Sequence, residues 1–304
     1  MKHLLIAAST LAKTAGYAAA DNVNFTFSGD ASAGVGKYTG TDDSFHVYSN
    51  LDFTVSAKKT TDSGIEFGAS FDASAGPSVD RGGDLDDGDS FGTNDGAFGT
   101  PTVYASGTFG KLEFSRDNID FYKDGAYNGG GAGGDGDLKY SGTFGGFGVG
   151  MVVDVESGDL AAQATYTVMG VALSADYNQN GADTAIWEAS AGYTLGSFTA
   201  TAAADNDTGT FDTEESLKLA YAMGSVSAWA KASTNDSVTA TSFDVGGTFA
   251  SGPMSLTVEA DDVTAATGTM TWKAYGSYDV GAGLALEAGT NDAGDVYAGA
   301  KMSF

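Results

Sequence analysis

Apolar side chains fall on every second position through much of this chain, and that period of two constrains its fold more than any other feature. Leu51, Phe53, Val55 and Ala57 alternate with Asp52, Thr54, Ser56 and Lys58. Ile65, Phe67, Ala69 and Phe71 alternate with Glu66, Gly68, Ser70 and Asp72. The same rhythm runs through Met254 to Glu259 and Met270 to Ala274. A two-residue period sends successive side chains to opposite faces of a strand, so one face of each segment is apolar and the other polar, often charged.

A β-sandwich also alternates, so the period by itself leaves two architectures open. Three further features favour a closed transmembrane barrel. The segments are about ten residues long, enough to cross a bilayer when tilted. Their links alternate between tight and long. Thr61-Asp62-Ser63-Gly64, Phe109-Gly110, Met169-Gly170, Leu195-Gly196-Ser197, Met223-Gly224-Ser225 and Val280-Gly281-Ala282-Gly283 are tight, while Asn178 to Asp183, Asp205 to Asp212 and Asn291 to Gly294 are longer and polar. Tyr166, Tyr177, Tyr193, Tyr221 and Tyr278 stand near segment ends, where an interfacial aromatic girdle belongs. Counting links gives about nine hairpins, hence eighteen strands in an antiparallel up-and-down barrel, and sixteen if one weak hairpin is spurious. Either size leaves an aqueous channel unless something fills it.

The start of the chain reads as an export signal over residues 1–20. Lys2 and His3 precede the apolar run Leu4 to Ala12, and Ala18-Ala19-Ala20 is a small-residue cleavage site before Asp21. Residues 21–304 then form a single barrel domain, with no composition break to mark a linker. The chain has no cysteine. An exported soluble domain often relies on disulfides, whereas a barrel closes its backbone hydrogen bonds around the ring. No later stretch approaches the ~18 apolar residues of a membrane helix. The formal charge is −26, and losing Lys2 and Lys13 with the signal leaves it more negative still. So acidic a chain repels nucleic acid.

At several points the residues resemble a known family. Thr60 to Phe71 is similar to the second hairpin of porins from photosynthetic alphaproteobacteria. Ala105-Ser106-Gly107-Thr108-Phe109-Gly110-Lys111-Leu112-Glu113 resembles their turn between strands four and five, and Gly276 to Gly281 a turn near their C-terminus. The last strand, Val296 to Phe304, ends on an aromatic similar to the signal read by the outer-membrane assembly machinery. These short motifs occur in the same order across nearly the whole mature chain. The resemblance, to general diffusion porins of the Rhodobacter type, implies a bacterial outer-membrane homotrimer of sixteen-stranded barrels set in lipid and lipopolysaccharide. It implies a third loop folded into each pore and passive passage of small hydrophilic solutes and ions. It also implies a basic cluster on the wall facing acids on that loop.

A diffusion pore requires a width limit and a field rather than bond chemistry. By position the inward loop is Asn118 to Asp137, which is shorter than the family's, with Asp117, Asp120, Lys123 and Asp124 as constriction groups; their alternative place is external water. If the apolar phase faces lipid, the lumen receives Asp52, Lys58, Glu66, Asp72, Lys111, Glu113, Asp154, Glu188, Lys218, Lys231, Glu259, Lys273, Glu287 and Lys301. Acids outnumber bases overall, so the expected preference is for cations. The only arginines are Arg81 and Arg116, and Arg116 shares phase with Leu112 and Phe114, which suits a rim.

The other long link, Ser74 to Ala97, is acidic and Gly-rich. Asp84, Asp86, Asp87 and Asp89 offer hard oxygen ligands for calcium, although their spacing departs from an EF-hand and a solvated loop is the plainer reading. No cofactor is required. Catalysis is disfavoured, because signal cleavage leaves His46 as the only histidine. The competing readings are a substrate-specific or plugged outer-membrane barrel, for which Tyr122, Tyr127 and Trp229 would have to line up, and a secreted acidic β-rich adhesin, for which a fixed short repeat is missing.

Overall fold

In the computed structural model, residues 23–39, 44–77, 81–82, 85, 97–120, 136–180, 184–206, 213–236, 238–263 and 269–304 are described. Their regular structure consists of β1 (Asn24–Lys37), β2 (His46–Thr60), β3 (Glu66–Ala75), β4 (Ala97–Phe98), β5 (Thr102–Gly107), β6 (Gly110–Ile119), β7 (Gly136–Phe144), β8 (Phe147–Val153), β9 (Leu160–Val168) and β10 (Val171–Asn180). After these come β11 (Thr184–Leu195), β12 (Phe198–Asp205), β13 (Glu214–Met223), β14 (Val226–Asn235), β15 (Val238–Ser251), β16 (Met254–Asp261), β17 (Thr271–Gly281), β18 (Leu284–Asn291) and β19 (Val296–Ser303).

Apart from β4 and β5, strands pair antiparallel with their neighbours in sequence, and β19 returns to β1 from Asp30↔Ser303 to Lys37↔Val296. Beyond that ladder, Gly29 and Phe304 exchange two backbone hydrogen bonds of 3.0 Å, so the last residue fastens the seam. A closed ring has no free edge, the one sheet form that lipid tolerates. Both β4 and β5 pair with β3 and together make one barrel strand, interrupted at Gly99 to Pro101. Pro101 has no N–H to give to a ladder, and Gly99 keeps contact by donating to the Asp72 carbonyl at 2.7 Å. The barrel therefore has eighteen strands, the number given by the hairpin rhythm rather than the sixteen implied by the family resemblance.

The two ends differ as the link lengths require. Tight turns close one end. At Met169-Gly170 both residues have positive φ (51° and 83°), as in the turns whose twist matches that of a hairpin. The longer links gather at the other end. The largest irregularity is in β6, where the register jumps from Phe114↔Leu138 to Ile119↔Gly136, five residues against two. Such a bulge bends the strand and re-aims the residues beyond it.

The face alternation is equally clear. Phe25, Phe27, Leu217, Leu219, Leu256, Val258, Leu286 and Met302 are all exposed, on the convex outside of the ring. On that face Phe198 packs against Tyr221 at 4.7 Å and Phe147 against Tyr166 at 6.2 Å, near the tight turns. At the long-link end Tyr177 lies directly opposite Trp187. Rings at these two levels suit the two membrane interfaces.

Candidate functional site

The polar phase of every strand faces the interior, and its charges are organised by strand register. Lys58 and Glu66 meet across β2 and β3 at 3.3 Å. Glu66 also accepts the Tyr104 hydroxyl at 2.7 Å from β5. Next to it, Lys111 reaches Glu113 at 2.6 Å and lies 4.6 Å over the Tyr104 ring. Further round, Lys231 meets Glu214 at 3.0 Å, Lys273 meets Glu259 at 3.8 Å, and Lys301 meets Asp30 at 3.6 Å. These lysine-bearing contacts leave several carboxylates with neutral donors. Asp52 accepts from Asn50 at 2.8 Å, Asp72 from Thr54 at 2.5 Å, and Asp176 from Gln163 at 2.7 Å.

Interior aromatic rings lie flat along the wall because glycine stands opposite them. Tyr104 covers Gly68, Tyr297 covers Gly289, Tyr48 covers Gly299, and Trp229 covers Gly246. A Cβ at Gly246 would stand 2.5 Å from the Trp229 indole nitrogen. This close approach keeps the rings out of the channel axis, and Trp229 also seats Lys218, whose ammonium is 4.3 Å from the ring centroid.

Two sectors of the wall are covered. At the first, Ile119 at the end of β6 is buried with Val152 and Ala161, both on the interior phase of β8 and β9. The bulged end of β6 thus turns inward at the start of the Asn118 to Asp137 link. At the second, described residues of the Ser74 to Ala97 link touch the interior of β1, β2, β18 and β19. Leu85 is fully buried with Tyr38, Tyr48 and Tyr297, and Arg81 pairs with Glu287. The reading of that link as a solvated surface loop therefore fails at Arg81, Gly82 and Leu85. The charge pattern gave no sign of it, because Leu85, the apolar anchor among the described residues of the link, is one residue in an acidic, Gly-rich run.

Asp120 is exposed, and Asp117 belongs to β6, with nothing described of its side chain. Lys123 and Asp124 lie outside the described residues, as do Asp84, Asp86, Asp87, Asp89, the tyrosines Tyr122 and Tyr127, and the export segment. Arg116 pairs with Glu156 at 3.5 Å, both strongly exposed, at the rim of the long-link end. Asp154, expected on the wall, instead organises the link between β8 and β9. It accepts the Ser157 hydroxyl at 2.5 Å and the N–H groups of Glu156 and Ser157 at 2.8 and 3.1 Å. Those bonds, the Ser157 side chain first, hold its carboxyl below the ordinary aspartate value. Among the described residues no group of three or more His, Cys, Asp or Glu side chains is placed to hold a metal.

A family model described as Gram-negative porin matches residues 7–301. Comparison with curated protein sequences finds no match. Among solved structures, a triple mutant of Rhodopseudomonas blastica porin is similar with 15% identity and a TM-score of 0.57, covering 92% of this chain and 100% of that one. A five-substitution mutant of the same porin is similar with 16% identity, a TM-score of 0.58 and the same coverage. At such identities the likeness speaks for the fold.

Proposed function

The chain belongs to the Gram-negative porin family, and on that premise we propose that its pore prefers cations and that three copies assemble in the membrane. The family places the protein in the bacterial outer membrane, as a barrel through which small hydrophilic solutes and ions pass passively. Diffusion requires no bond to be made or broken, and no catalytic role is assigned to any side chain.

The cation preference is supported by one observation. Lys58, Lys111, Lys231, Lys273 and Lys301 each stand within 4 Å of a carboxylate, whereas Asp52, Asp72 and Asp176 are held by amide and hydroxyl donors. Paired lysines offer little net field to a passing anion. Amide and hydroxyl donors do not cancel the field of these carboxylates as a lysine does, and a low-dielectric wall focuses it. The trimer rests on the family resemblance, with the small side chains of Phe198 to Ala204 as one surface suited to close contact.

Reversal potentials under a KCl gradient test the preference. A potential displaced towards the potassium equilibrium value supports it, and one displaced towards chloride contradicts it. Cross-linking in detergent, read as monomer, dimer and trimer bands, tests the assembly.

A further inference from the structure

The described residues between β3 and β4 form a built contact on the interior wall. The Arg81 guanidinium lies 3.2 Å from Glu287 of β18 and 3.9 Å from Asp30 of β1, with its side chain only 15% exposed. The N–H of Gly82 donates to the Tyr297 hydroxyl at 2.9 Å. The N–H of Leu85 donates to the Gly82 carbonyl at 3.3 Å. Leu85 then enters a fully buried seat among Tyr38, Tyr48 and Tyr297. A cation, a backbone donor and an apolar anchor thus fix this short stretch against one sector.

The sign of the contact is the informative part. The family resemblance implies bases on the wall and acids on an inward third loop. Here an inward base from the second long link meets acids of the wall. Asp30 is shared between Arg81 and Lys301, and in the register it stands directly opposite Asp52. Without Arg81, the sector would carry Asp30, Asp52 and Glu287 with Lys301 as the near cation among the described residues.

We propose that Arg81 is a selectivity-determining residue of the pore, carried on a second inward segment that Gly82 and Leu85 pin to the wall. The segment narrows the channel beside β18, β19, β1 and β2. Arg81 lowers the negative potential there, so it limits both the conductance and the cation preference that the other carboxylates create. This inference rests on the passive-pore reading above, but not on the wild-type pore being cation-preferring.

The test compares wild type with Arg81→Ala and Arg81→Lys in planar bilayers under a KCl gradient. Arg81→Ala is expected to raise single-channel conductance and move the reversal potential towards potassium, with Arg81→Lys close to wild type. Unchanged conductance and potential in Arg81→Ala would overturn the inference and leave the wild-type preference standing. A chloride-directed wild-type potential that still moves towards potassium in Arg81→Ala would overturn the cation preference and leave this inference standing. A second measurement does not depend on Arg81→Ala folding. The chain has no cysteine, so Leu85→Cys in the otherwise native protein gives one labelling site. Slow reaction with a small charged methanethiosulfonate reagent, becoming fast in urea, supports the pinned segment. Fast reaction in the folded barrel overturns it.

Discussion

Lys218 and Lys231 face each other directly across β13 and β14, yet their ammonium groups point to different partners. Lys231 reaches Glu214 at 3.0 Å, and Lys218 rests 4.3 Å over the Trp229 ring. Like charges opposite one another on a sheet destabilise it, so each lysine needs its own neighbour. Glu214→Gln should therefore leave two lysines with one aromatic seat between them and make this stretch of wall more positive. The expected result is a reversal potential moved towards chloride relative to wild type. No movement would mean that this pair lies outside the path of the ions.

Trp229 imposes a requirement on the strand opposite it. Because a Cβ at position 246 would enter the indole at 2.5 Å, Gly246→Val should force the ring off the wall. Overpacking of this kind costs about 1–3 kcal/mol. Urea unfolding followed by tryptophan fluorescence should show the loss, together with reduced conductance as the ring moves into the channel. Gly145→Ala has nothing within 4 Å of the added carbon but a positive φ of 59°. It should lower stability without altering conductance.

The outward face makes a steric and dielectric prediction. Leu256 is exposed in the middle of β16 and Thr257 beside it points inward. Leu256→Arg should cost about 2–4 kcal/mol if the position lies near the bilayer midplane. Thr257→Arg should be tolerated and shift selectivity instead. Folding into lipid vesicles, read by heat-modifiable mobility on gels, separates the two. Equal tolerance of both arginines would contradict the assignment of the faces.

The seam predicts a role for the last residue. Gly29 and Phe304 exchange two backbone hydrogen bonds, each worth about 0.5–1.5 kcal/mol net. Deleting Phe304 should leave the β1–β19 ladder one rung short and reduce the yield of folded barrel. Phe304→Ala keeps the backbone bonds, so the difference between the two variants separates the backbone seam from the Phe304 side chain.

Asp154 gives a pH-dependent prediction away from the membrane. Its carboxyl is held below the ordinary aspartate value by the Ser157 side chain first and then by backbone donors. A depressed native pKa stabilises the folded link above the unfolded value, and that stability is lost as pH falls through the native one. The link from Asp154 to Asp159 should therefore keep its order at neutral pH and loosen only in acid below the usual aspartate range. Carboxyl carbon NMR of Asp154 reads this directly, and a titration at the ordinary position would contradict it.

The barrel and its strand count were legible because a two-residue period and the turn glycines are local signals, written residue by residue. The same pattern puts Lys58, Glu66, Lys111, Glu113 and Lys273 on the polar phase of their strands, where they form ion pairs. Their pairing was not legible, since it depends on cross-strand register, and the flat seating of Trp229 on Gly246 depends on a glycine 17 positions away. Asp154 was misplaced because alternation persists in the sequence beyond the point where β8 ends at Val153. The inward course at Arg81 and Leu85 was hidden for a different reason. It rests on long-range contacts with Glu287 and Tyr297, about two hundred residues later, and nothing in the local composition announces them.

An open, water-filled, cation-preferring pore is the reading on which the other expectations depend. Single-channel recording of the folded protein in a planar bilayer under a KCl gradient probes it without intermediaries. Such a pore gives stepwise conductance with a reversal potential on the potassium side, and closures in thirds if three barrels assemble. Folded protein that inserts without conducting would contradict the open pore, and a chloride-side potential would contradict the reading of its wall.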